Sequence, residues 1–294
     1  MNFLDLLPKL LMLCLALMMF GLGMALTISD FARLKSHPKA VLIALVLQII
    51  VLPLVCYALI VAFGLSPIYA VGLMLLAASP GGISANLFSH LFGGNVAMNI
   101  SLTAINTLLS IATLPLIANW AIAAFAKTGQ VAPIQFGKVL EVTAIVLVPV
   151  VIGMFVRVRA PSFAARMEKP MKAFSACLIA TLAVLSIAKE WALLGQSFAQ
   201  IGVAVIAFNL ISLFAGYFVS RAMGLDKPLS TAIGFEIGVH NSALAMFIAL
   251  NVLNNVQLAL PAGIYSFSML ITAGLFGWLA LRQRGRSPFA VESN

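Results

Sequence analysis

Long apolar segments follow one another along the whole chain and leave little soluble sequence between them. A membrane-spanning helix needs about 20 mostly apolar residues. Nine segments meet that requirement, at roughly 8–27, 41–63, 68–92, 97–123, 135–157, 171–188, 201–222, 229–250 and 261–281. The short alternating segments of a membrane β-barrel are absent. The sequence therefore predicts an all-α integral membrane protein with nine transmembrane helices, in one domain over 1–294.

The composition agrees with a membrane protein and argues against a nucleic-acid-binding protein. Only 9% of the residues are charged and the mean hydropathy is +1.12, whereas soluble domains are about 25% charged. A net charge of +9 is also found in nucleic-acid-binding proteins, but here the basic residues lie between the apolar segments. Basic loops of this kind set membrane topology, so we expect no nucleic-acid partner.

The distribution of Lys and Arg predicts an orientation. Most lie in the odd-numbered connections, such as Arg33, Lys35 and Lys39 after the first segment and the basic group at 157–172 after the fifth. Basic connections favour the cytoplasmic side. We expect a multi-pass cell-membrane protein with the N-terminus outside and the C-terminus in the cytoplasm. The first segment, without a convincing cleavage site, is expected to be a retained span.

Two segments contain residues that interrupt helices. The third contains SPGG at 79–82, and the eighth contains Gly234 and Gly238 followed by Asn241 and Ser242. Transporters built from inverted repeats place such breaks at corresponding positions of their halves. Spans five to nine form one five-helix unit, and spans one to four match it if the first helix is missing. This pattern predicts inverted repeats with two discontinuous helices.

Glu236 lies near the middle of the eighth segment. A buried ionised carboxylate must be paired, protonated or bound to a cation, and no Lys or Arg lies in the middle of any segment. The alternatives are a protonated carboxyl bonded to a neighbouring helix, a bound cation, or a water-lined cavity. Glu141, by contrast, is expected to pair with Lys138 near the outer interface.

Several side chains in the apolar segments could supply oxygen ligands to a cation beside Glu236. A hard cation prefers carboxylate, amide, hydroxyl and carbonyl oxygens. Asn99, Thr103 and Asn106 share one helix face by their spacing. The full set of candidates is Gln48, Asn86, Asn99, Thr103, Asn106 and Thr107.

Transition-metal, redox and enzymatic chemistry are not expected. His240 follows Glu236 by four residues and is expected on the same helix face, but a zinc site needs three or four ligands. Cys14, Cys56 and Cys177 lie far apart in apolar segments and form no CxxC pair. No Ser–His, paired-Asp or zinc constellation is visible. We expect no cofactor and no enzymatic activity.

Three stretches carry a resemblance to a known family: FGLGMALTISDFARLKSHPKAV at 20–41, SPGGISANLFSHLFGGNVAMNISLT at 79–103 and FEIGVHNSALA at 235–245. The chain resembles the bile acid:sodium symporter family, bacterial members included, in a nine-helix form. The resemblance implies inverted repeats whose two discontinuous helices cross in a core domain (approximately 41–123 and 201–281). A panel domain (approximately 8–27 and 135–188) would pack beside it, in a bacterial inner membrane.

The resemblance also implies two sodium sites. The first would use Asn86, Asn99, Thr103 and Glu236; the second would use Gln48, Glu236, the carbonyls of Ile237 and Val239, and His240. Bile-acid-transporting members typically have Gln at the position of His240. Because an imidazole nitrogen is a poor Na⁺ ligand and titrates near neutral pH, three couplings stay open. The second site keeps Na⁺, loses it, or gives way to a proton on His240.

The expected substrate is an organic anion. Half-helices beginning at Ile83–Ser84 and Asn241–Ser242 would point free N–H groups at the cavity, which suits a carboxylate. Family substrates range from bile acids to small acids such as pantoate and 2-oxo acids. Met269 and Leu270 replace polar residues of some bacterial relatives. The expected function is sodium-coupled symport by alternating access. The alternative is a proton-coupled or uncoupled organic-acid permease with His240 as proton carrier.

Overall fold

The computed structural model describes residues 3–126, 133–167, 170, 174 and 191–282. These residues are almost entirely helical, and the only β-type pairing among them is an isolated bridge between Gly81 and His240. The helices are α1 (Phe3–Ala25), α2 (Ile28–Leu34), α3 (Pro38–Val46), α4 (Leu52–Phe63), α5 (Pro67–Ala78), α6 (Ile83–Leu91), α7 (Val96–Phe125), α8 (Phe136–Arg159), α9 (Trp191–Ala222), α10 (Lys227–Gly238), α11 (Ser242–Phe247) and α12 (Val256–Arg282).

Most predicted segments coincide with these helices. The second is continuous over Pro38–Phe63, where the π-helical segment Leu47–Val51 joins α3 to α4. The sixth predicted segment, 171–188, lies outside the described residues. By length and apolar composition, five helices of the described part can cross a membrane, or six if the bent pair α1–α2 is one span. The all-helical membrane class is therefore confirmed, while the count of nine stays a prediction.

The two segments with helix-breaking residues are each divided into two helices. The first interruption separates α5 from α6 at 79–82, and the second separates α10 from α11 at 239–241. The interruptions meet: Gly82 N donates to Val239 O at 2.6 Å, and Asn241 N donates to Pro80 O at 2.8 Å. Because buried backbone groups need partners, each interruption satisfies polar groups that the other exposes.

Helix α2 forms in a stretch that the sequence analysis treated as a connection. It is bent by 75° from α1. Asp30 accepts from the backbone N of Thr27 at 2.8 Å and pairs with Arg33 at 2.7 Å. Since an acidic side chain at this position satisfies a free N–H at the helix start, these two bonds account for the short helix.

Helices α1 and α8 are in backbone contact. A Cβ at Gly23 would overlap the Val150 carbonyl, and a Cβ at Gly153 would overlap the Phe20 carbonyl. Small residues permit this close approach between membrane helices. The α1–α8 pair touches the rest of the described chain mainly through α7 and α11, whereas α5, α7, α9, α10 and α12 pack closely around the two interruptions.

Three connections lie at one end of the molecule. Asn95 N donates to Pro228 O at 2.9 Å, and an Arg33 nitrogen lies 3.4 Å from Ala97 O. These bonds join the connections after the first, third and seventh predicted segments. The charge pattern gave no signal for the third connection, 92–96, which the structure brings next to basic ones.

Candidate cation site

Glu236 lies in the last turn of α10 and is fully buried. Its carboxylate is held by two neutral donors on α7: Thr103 Oγ1 donates to Oε2 at 2.6 Å, and Asn106 Nδ2 donates to Oε1 at 2.9 Å. Within the described part of the chain no Lys or Arg forms a salt bridge with it. A buried carboxylate without a basic partner favours a cation or a proton as its counter-charge.

The Thr103 hydroxyl has one proton and two acceptors within reach. It can donate to Glu236 Oε2, or to the carbonyl of Asn99 at 3.0 Å. When it donates to Asn99, its lone pairs are free to face whatever lies beside Glu236. The same group can therefore act as a donor to the carboxylate or as an oxygen ligand.

Asn106 is one of the candidate ligands on α7 but belongs to neither of the two predicted sodium sites, and it contacts Glu236 through its amide nitrogen. Its amide must present nitrogen to the carboxylate, because the flipped amide would place two oxygens together. Its Oδ1 is buried and has no hydrogen-bond partner among the described residues. The spacing of three residues from Thr103 predicts that Asn106 shares this helix face, but it does not predict that both side chains bind Glu236.

The predicted ligand Asn86 lies on α6, and the predicted ligand Asn99 connects α7 with α6. Asn99 Nδ2 donates to Ala85 O at 2.9 Å and to Ser89 Oγ. The Oδ1 atoms of Asn86 and Asn99 are buried without a partner in the described residues. Buried acceptors without donors need an explanation, and a hard cation is a partner that suits amide oxygens.

Gln48 and His240 converge on the carbonyl of Ser79. Gln48 Nε2 lies 3.0 Å from Ser79 O, and His240 Nδ1 also lies 3.0 Å from it. Because a carbonyl oxygen only accepts, Nδ1 carries the hydrogen of the neutral ring and Nε2 carries the lone pair. Gln48 Oε1 and His240 Nε2 are buried and lack partners within the described chain. Gln48 and His240, the two side chains predicted for the second sodium site besides Glu236, therefore meet at one carbonyl.

One expectation about His240 is wrong. The spacing of four residues predicts His240 on the same helix face as Glu236, but α10 ends at Gly238 and Val239 has φ −120° and ψ 79°. His240 therefore lies in the extended second interruption, where it faces Ser79. Of the predicted backbone ligands, Ile237 lies in the buried last turn of α10. Val239 O already accepts from Gly82 N.

Gly81 permits the first interruption to reach the carboxylate. A Cβ at this position would overlap the Glu236 side chain. Glu236 therefore touches both the first interruption and α7, and it belongs to the helix that leads into the second interruption. Any group that binds the carboxylate binds between these elements.

The predicted half-helix starts have different surroundings. Ile83 and Ser84 begin α6 and are partly exposed, whereas Asn241 and Ser242 are buried at the start of α11. Asn241 Oδ1 accepts from Leu244 N at 3.1 Å, which caps that helix.

Cys14 and Cys56 are free and buried; Cys177 lies outside the described residues. The Lys138–Glu141 pair is confirmed at 2.7 Å.

An apolar cavity of about 70 Å³ lies between α7 and the α1–α8 pair. Its walls include Leu22, Thr107, Val150 and Met154. A second cavity nearby, of about 20 Å³, is lined by Ser110, Val146, Leu244 and Ile248 among others. Both cavities therefore lie against α7, on a side of this helix other than the one that carries Thr103 and Asn106.

Named proteins from plants, bacteria and animals align with most of the chain. It is 28% identical over 252 residues to the probable sodium/metabolite cotransporter BASS1, chloroplastic, of Arabidopsis thaliana, with 86% of this chain aligned. It is 29% identical over 253 residues to the uncharacterized sodium-dependent transporter YocS of Bacillus subtilis, covering 86% of this chain and 77% of the relative. The ileal sodium/bile acid cotransporter of Oryctolagus cuniculus is 27% identical over 246 residues, covering 82% and 69%.

The chain spans 62% of the length of the Arabidopsis relative and 60% of the corresponding rice protein. These relatives are named as transporters or cotransporters. The family model described as Sodium Bile acid symporter family matches residues 12–197, more than half of the chain. The resemblance found in the three sequence stretches is thereby confirmed, and with it a transporter family rather than an enzyme family. The chain belongs to the sodium/bile acid symporter family.

Proposed function

We propose that this protein is a secondary active transporter that couples the transport of an organic anion to Na⁺ by alternating access. The observation that carries the proposal is the buried Glu236 carboxylate, which has neutral donors and no basic partner among the described residues. The relatives named as sodium cotransporters support Na⁺ as the coupling ion.

We assign the first Na⁺ to Glu236, Thr103, Asn99 and Asn86. The unpartnered amide oxygens of Asn86 and Asn99 and the adaptable Thr103 hydroxyl support this assignment. We assign a second cation to Gln48, the carbonyls of Ile237 and Val239, Glu236 and His240. Gln48 Oε1 supports it, because its amide nitrogen is committed to Ser79 O and the oxygen is free.

A second candidate is a proton-coupled or uncoupled permease of the same fold. The observation that favours it is His240 Nε2, a buried nitrogen with a free lone pair and no partner among the described residues. Imidazole nitrogen takes a proton more readily than it takes Na⁺. In that case one proton on His240 replaces the second Na⁺.

The substrate is proposed to be a small, largely apolar carboxylate that binds between α7 and the α1–α8 pair. The apolar walls of the cavities there support a carbon skeleton with few polar groups. The start of α6 at Ile83–Ser84 offers N–H groups to its carboxylate. At the start of α11, Asn241 N and Ser242 N already donate to Pro80 O and His240 O, so Asn241 and Ser242 would contribute through their side chains. Ser242 lies beside Met269, which adds an apolar side chain to that end.

Movement is proposed to occur between two units. The core contains α3–α7 and α9–α12, and the panel contains α1, α8 and the predicted segment 171–188. The limited contact of the α1–α8 pair with its neighbours supports this division. Cation binding would neutralise Glu236 and fix both interruptions to α7. An uncompensated charge would otherwise oppose the rearrangement.

The proposal is tested by the thermal stability of the purified chain in detergent. Melting is followed in NaCl and in KCl at equal ionic strength, with a panel of small carboxylates and bile acids, at pH 6 and pH 8. A ligand that binds only the folded state raises the melting temperature, so Na⁺ should stabilise, and an active carboxylate should add to this only with Na⁺. Equal melting in NaCl and KCl with every carboxylate would contradict sodium coupling. If a carboxylate raises the melting temperature by an amount that differs between pH 6 and pH 8 but not between NaCl and KCl, the proton-coupled candidate is favoured.

A further inference from the structure

The carbonyl of Gly238 carries two hydrogen bonds from other helices. Asn209 Nδ2 of α9 donates to it at 2.8 Å, and the Tyr265 hydroxyl of α12 donates to it at 2.8 Å. Asn209 and Tyr265 are both fully buried. Gly238 is the last residue of α10, where carbonyls have lost their helical partners. The two donors therefore fix the point at which α10 stops and the second interruption begins.

The orientation of Asn209 is itself fixed. Its Oδ1 accepts from the hydroxyl of Thr272, which lies on α12 like Tyr265. If the amide were flipped, its oxygen would face the Gly238 carbonyl, which is repulsive. We call Asn209, Tyr265 and Thr272 the Gly238 clamp.

Tyr265 also touches His240, two residues beyond Gly238. The two ring centroids are 5.6 Å apart, and Phe208 stacks on the imidazole at 5.5 Å. The imidazole in turn donates from Nδ1 to Ser79 O in the first interruption. Contacts therefore run without a gap from α9 and α12 through residues 238–240 to the first interruption.

The clamp and α7 both act on the last turn of α10, which contains Glu236. Thr103 and Asn106 of α7 hold its carboxylate, while the clamp holds the carbonyl two residues further along the same helix turn. The position of the carboxylate depends on both. A site for an ion needs its ligands placed to within about 0.5 Å, so a shift of this helix end changes ion binding without removing a ligand.

We propose that Tyr265 is a positioning residue of the cation site, which it sets through the Gly238 carbonyl without touching the ion. The inference rests on the proposed function of Glu236. Losing one neutral hydrogen bond is worth about 0.5–1.5 kcal/mol. We therefore expect Tyr265→Phe to raise the Na⁺ concentration for half-maximal effect about two- to tenfold.

The test is a Na⁺ titration of thermal stability for the full chain, in parallel with uptake kinetics in proteoliposomes. Tyr265→Phe keeps the ring against His240 and removes only the hydroxyl. Tyr57→Phe is the matched control, because Tyr57 lies on α4 and stacks on Trp120 at 5.4 Å, away from the clamp. We expect the Na⁺ midpoint to rise in Tyr265→Phe alone, with maximal uptake within about twofold of the wild type.

The outcomes separate the two proposals. If the wild type shows no Na⁺ response, the proposed function fails and the positioning role fails with it. If the wild type responds and Tyr265→Phe only melts earlier, with an unchanged Na⁺ midpoint, Tyr265 is merely structural and the inference is overturned. Should Tyr265→Phe not fold, Thr272→Val decides in its place. This substitution removes the hydrogen bond to Asn209 Oδ1. A raised Na⁺ midpoint then supports the clamp, and an unchanged Na⁺ midpoint overturns it.

Discussion

At the residue scale, the Thr103 hydroxyl links the charge of Glu236 to the backbone of α7. It reaches both Glu236 Oε2 and Asn99 O but can donate to one of them at a time. Binding a cation beside the carboxylate would turn the hydroxyl toward Asn99 and its lone pairs toward the ion. The side chain therefore matters for its oxygen, and its methyl group matters little.

We expect Thr103→Val to raise the Na⁺ concentration for half-maximal stabilisation by at least about tenfold, because a hydrogen bond to a charged group is worth about 1.5–3 kcal/mol. Thr103→Ser should stay within about threefold of the wild type, since it keeps the oxygen. Ser101→Ala on the same helix is the control, because the Ser101 hydroxyl donates to the carbonyl of Ala97 and Ser101 is neither a candidate ligand nor part of the cavity walls. Equal Na⁺ midpoints for the Val and Ser variants at position 103 would refute this role.

His240 gives the second prediction at this scale. His240→Gln offers an amide oxygen in place of Nε2, and amide oxygen suits Na⁺ better than imidazole nitrogen. We expect the Na⁺ concentration for half-maximal uptake to be lower in this variant than in the wild type, at pH 6 and at pH 8. Uptake should also depend more steeply on the Na⁺ concentration. If Na⁺ dependence is unchanged and the variant instead loses the pH dependence of uptake, His240 carries a proton and the second candidate function gains the support.

The oxygen-rich stripe of α7 could be predicted residue by residue, but its assignments could not. Spacing placed Asn99, Thr103 and Asn106 on one face, and the structure confirms that two of them bind Glu236. Which two depends on the rotation of α7 against α10. That rotation is set by packing between helices far apart in sequence, which a local pattern does not contain.

At the element scale, the two interruptions are joined by hydrogen bonds to each other, and Gly81 permits their close approach. Gly81 lies where a Cβ would overlap the Glu236 carboxylate. The first interruption can therefore approach α10 only without a side chain at this position. The contact makes the interruption part of the site and more than a connection between helices.

Gly81→Ala is expected to abolish the Na⁺-dependent rise in melting temperature and to lower stability by about 1–3 kcal/mol, as overpacking does. Gly263→Ala on α12 is the matched control, since a Cβ there meets no atom within 4 Å. Thermal melts of both variants in NaCl and KCl make the comparison. Indistinguishable behaviour of the two variants would show that the close approach at Gly81 is unimportant.

Element boundaries were predicted where local chemistry marks them. Pro80 and its two glycines marked the first interruption, and α5 does end at Ala78. The glycines of the eighth segment predict an interruption there, but not that α10 ends at Gly238, and the expectation for His240 is therefore wrong. That end depends on the bonds from Asn209 and Tyr265 to Gly238 O. These donors come from distant helices, so no local signal announces them.

At the scale of the whole molecule, the arrangement of connections supports the predicted topology. The connections after the first, third and seventh segments are in contact. If this end faces the cytoplasm, as its basic residues predict, the connection between α4 and α5 is expected on the outside. Ser36 and Ser66 are exposed residues of the two opposite groups of connections.

Cysteine labelling checks the orientation. In a background with Cys14, Cys56 and Cys177 replaced by Ala, Ser66→Cys should react with a membrane-impermeant maleimide in intact cells. Ser36→Cys should react only after permeabilisation. The reverse pattern would place the N-terminus in the cytoplasm and overturn the predicted orientation.

The central claim is that the charge of Glu236 binds the coupling Na⁺. It is tested most directly by uptake of radioactive sodium into proteoliposomes containing the wild type, Glu236→Gln or Glu141→Gln. Glutamine has nearly the same shape as glutamate: its Oε1 can accept from Asn106 while its Nε2 donates to the Thr103 hydroxyl, which then donates to Asn99 O. The exposed Glu141 provides the same chemical change outside the site. We predict that Glu236→Gln folds but loses sodium uptake, and that Glu141→Gln transports like the wild type. Sodium uptake by Glu236→Gln equal to that of the wild type would contradict the account.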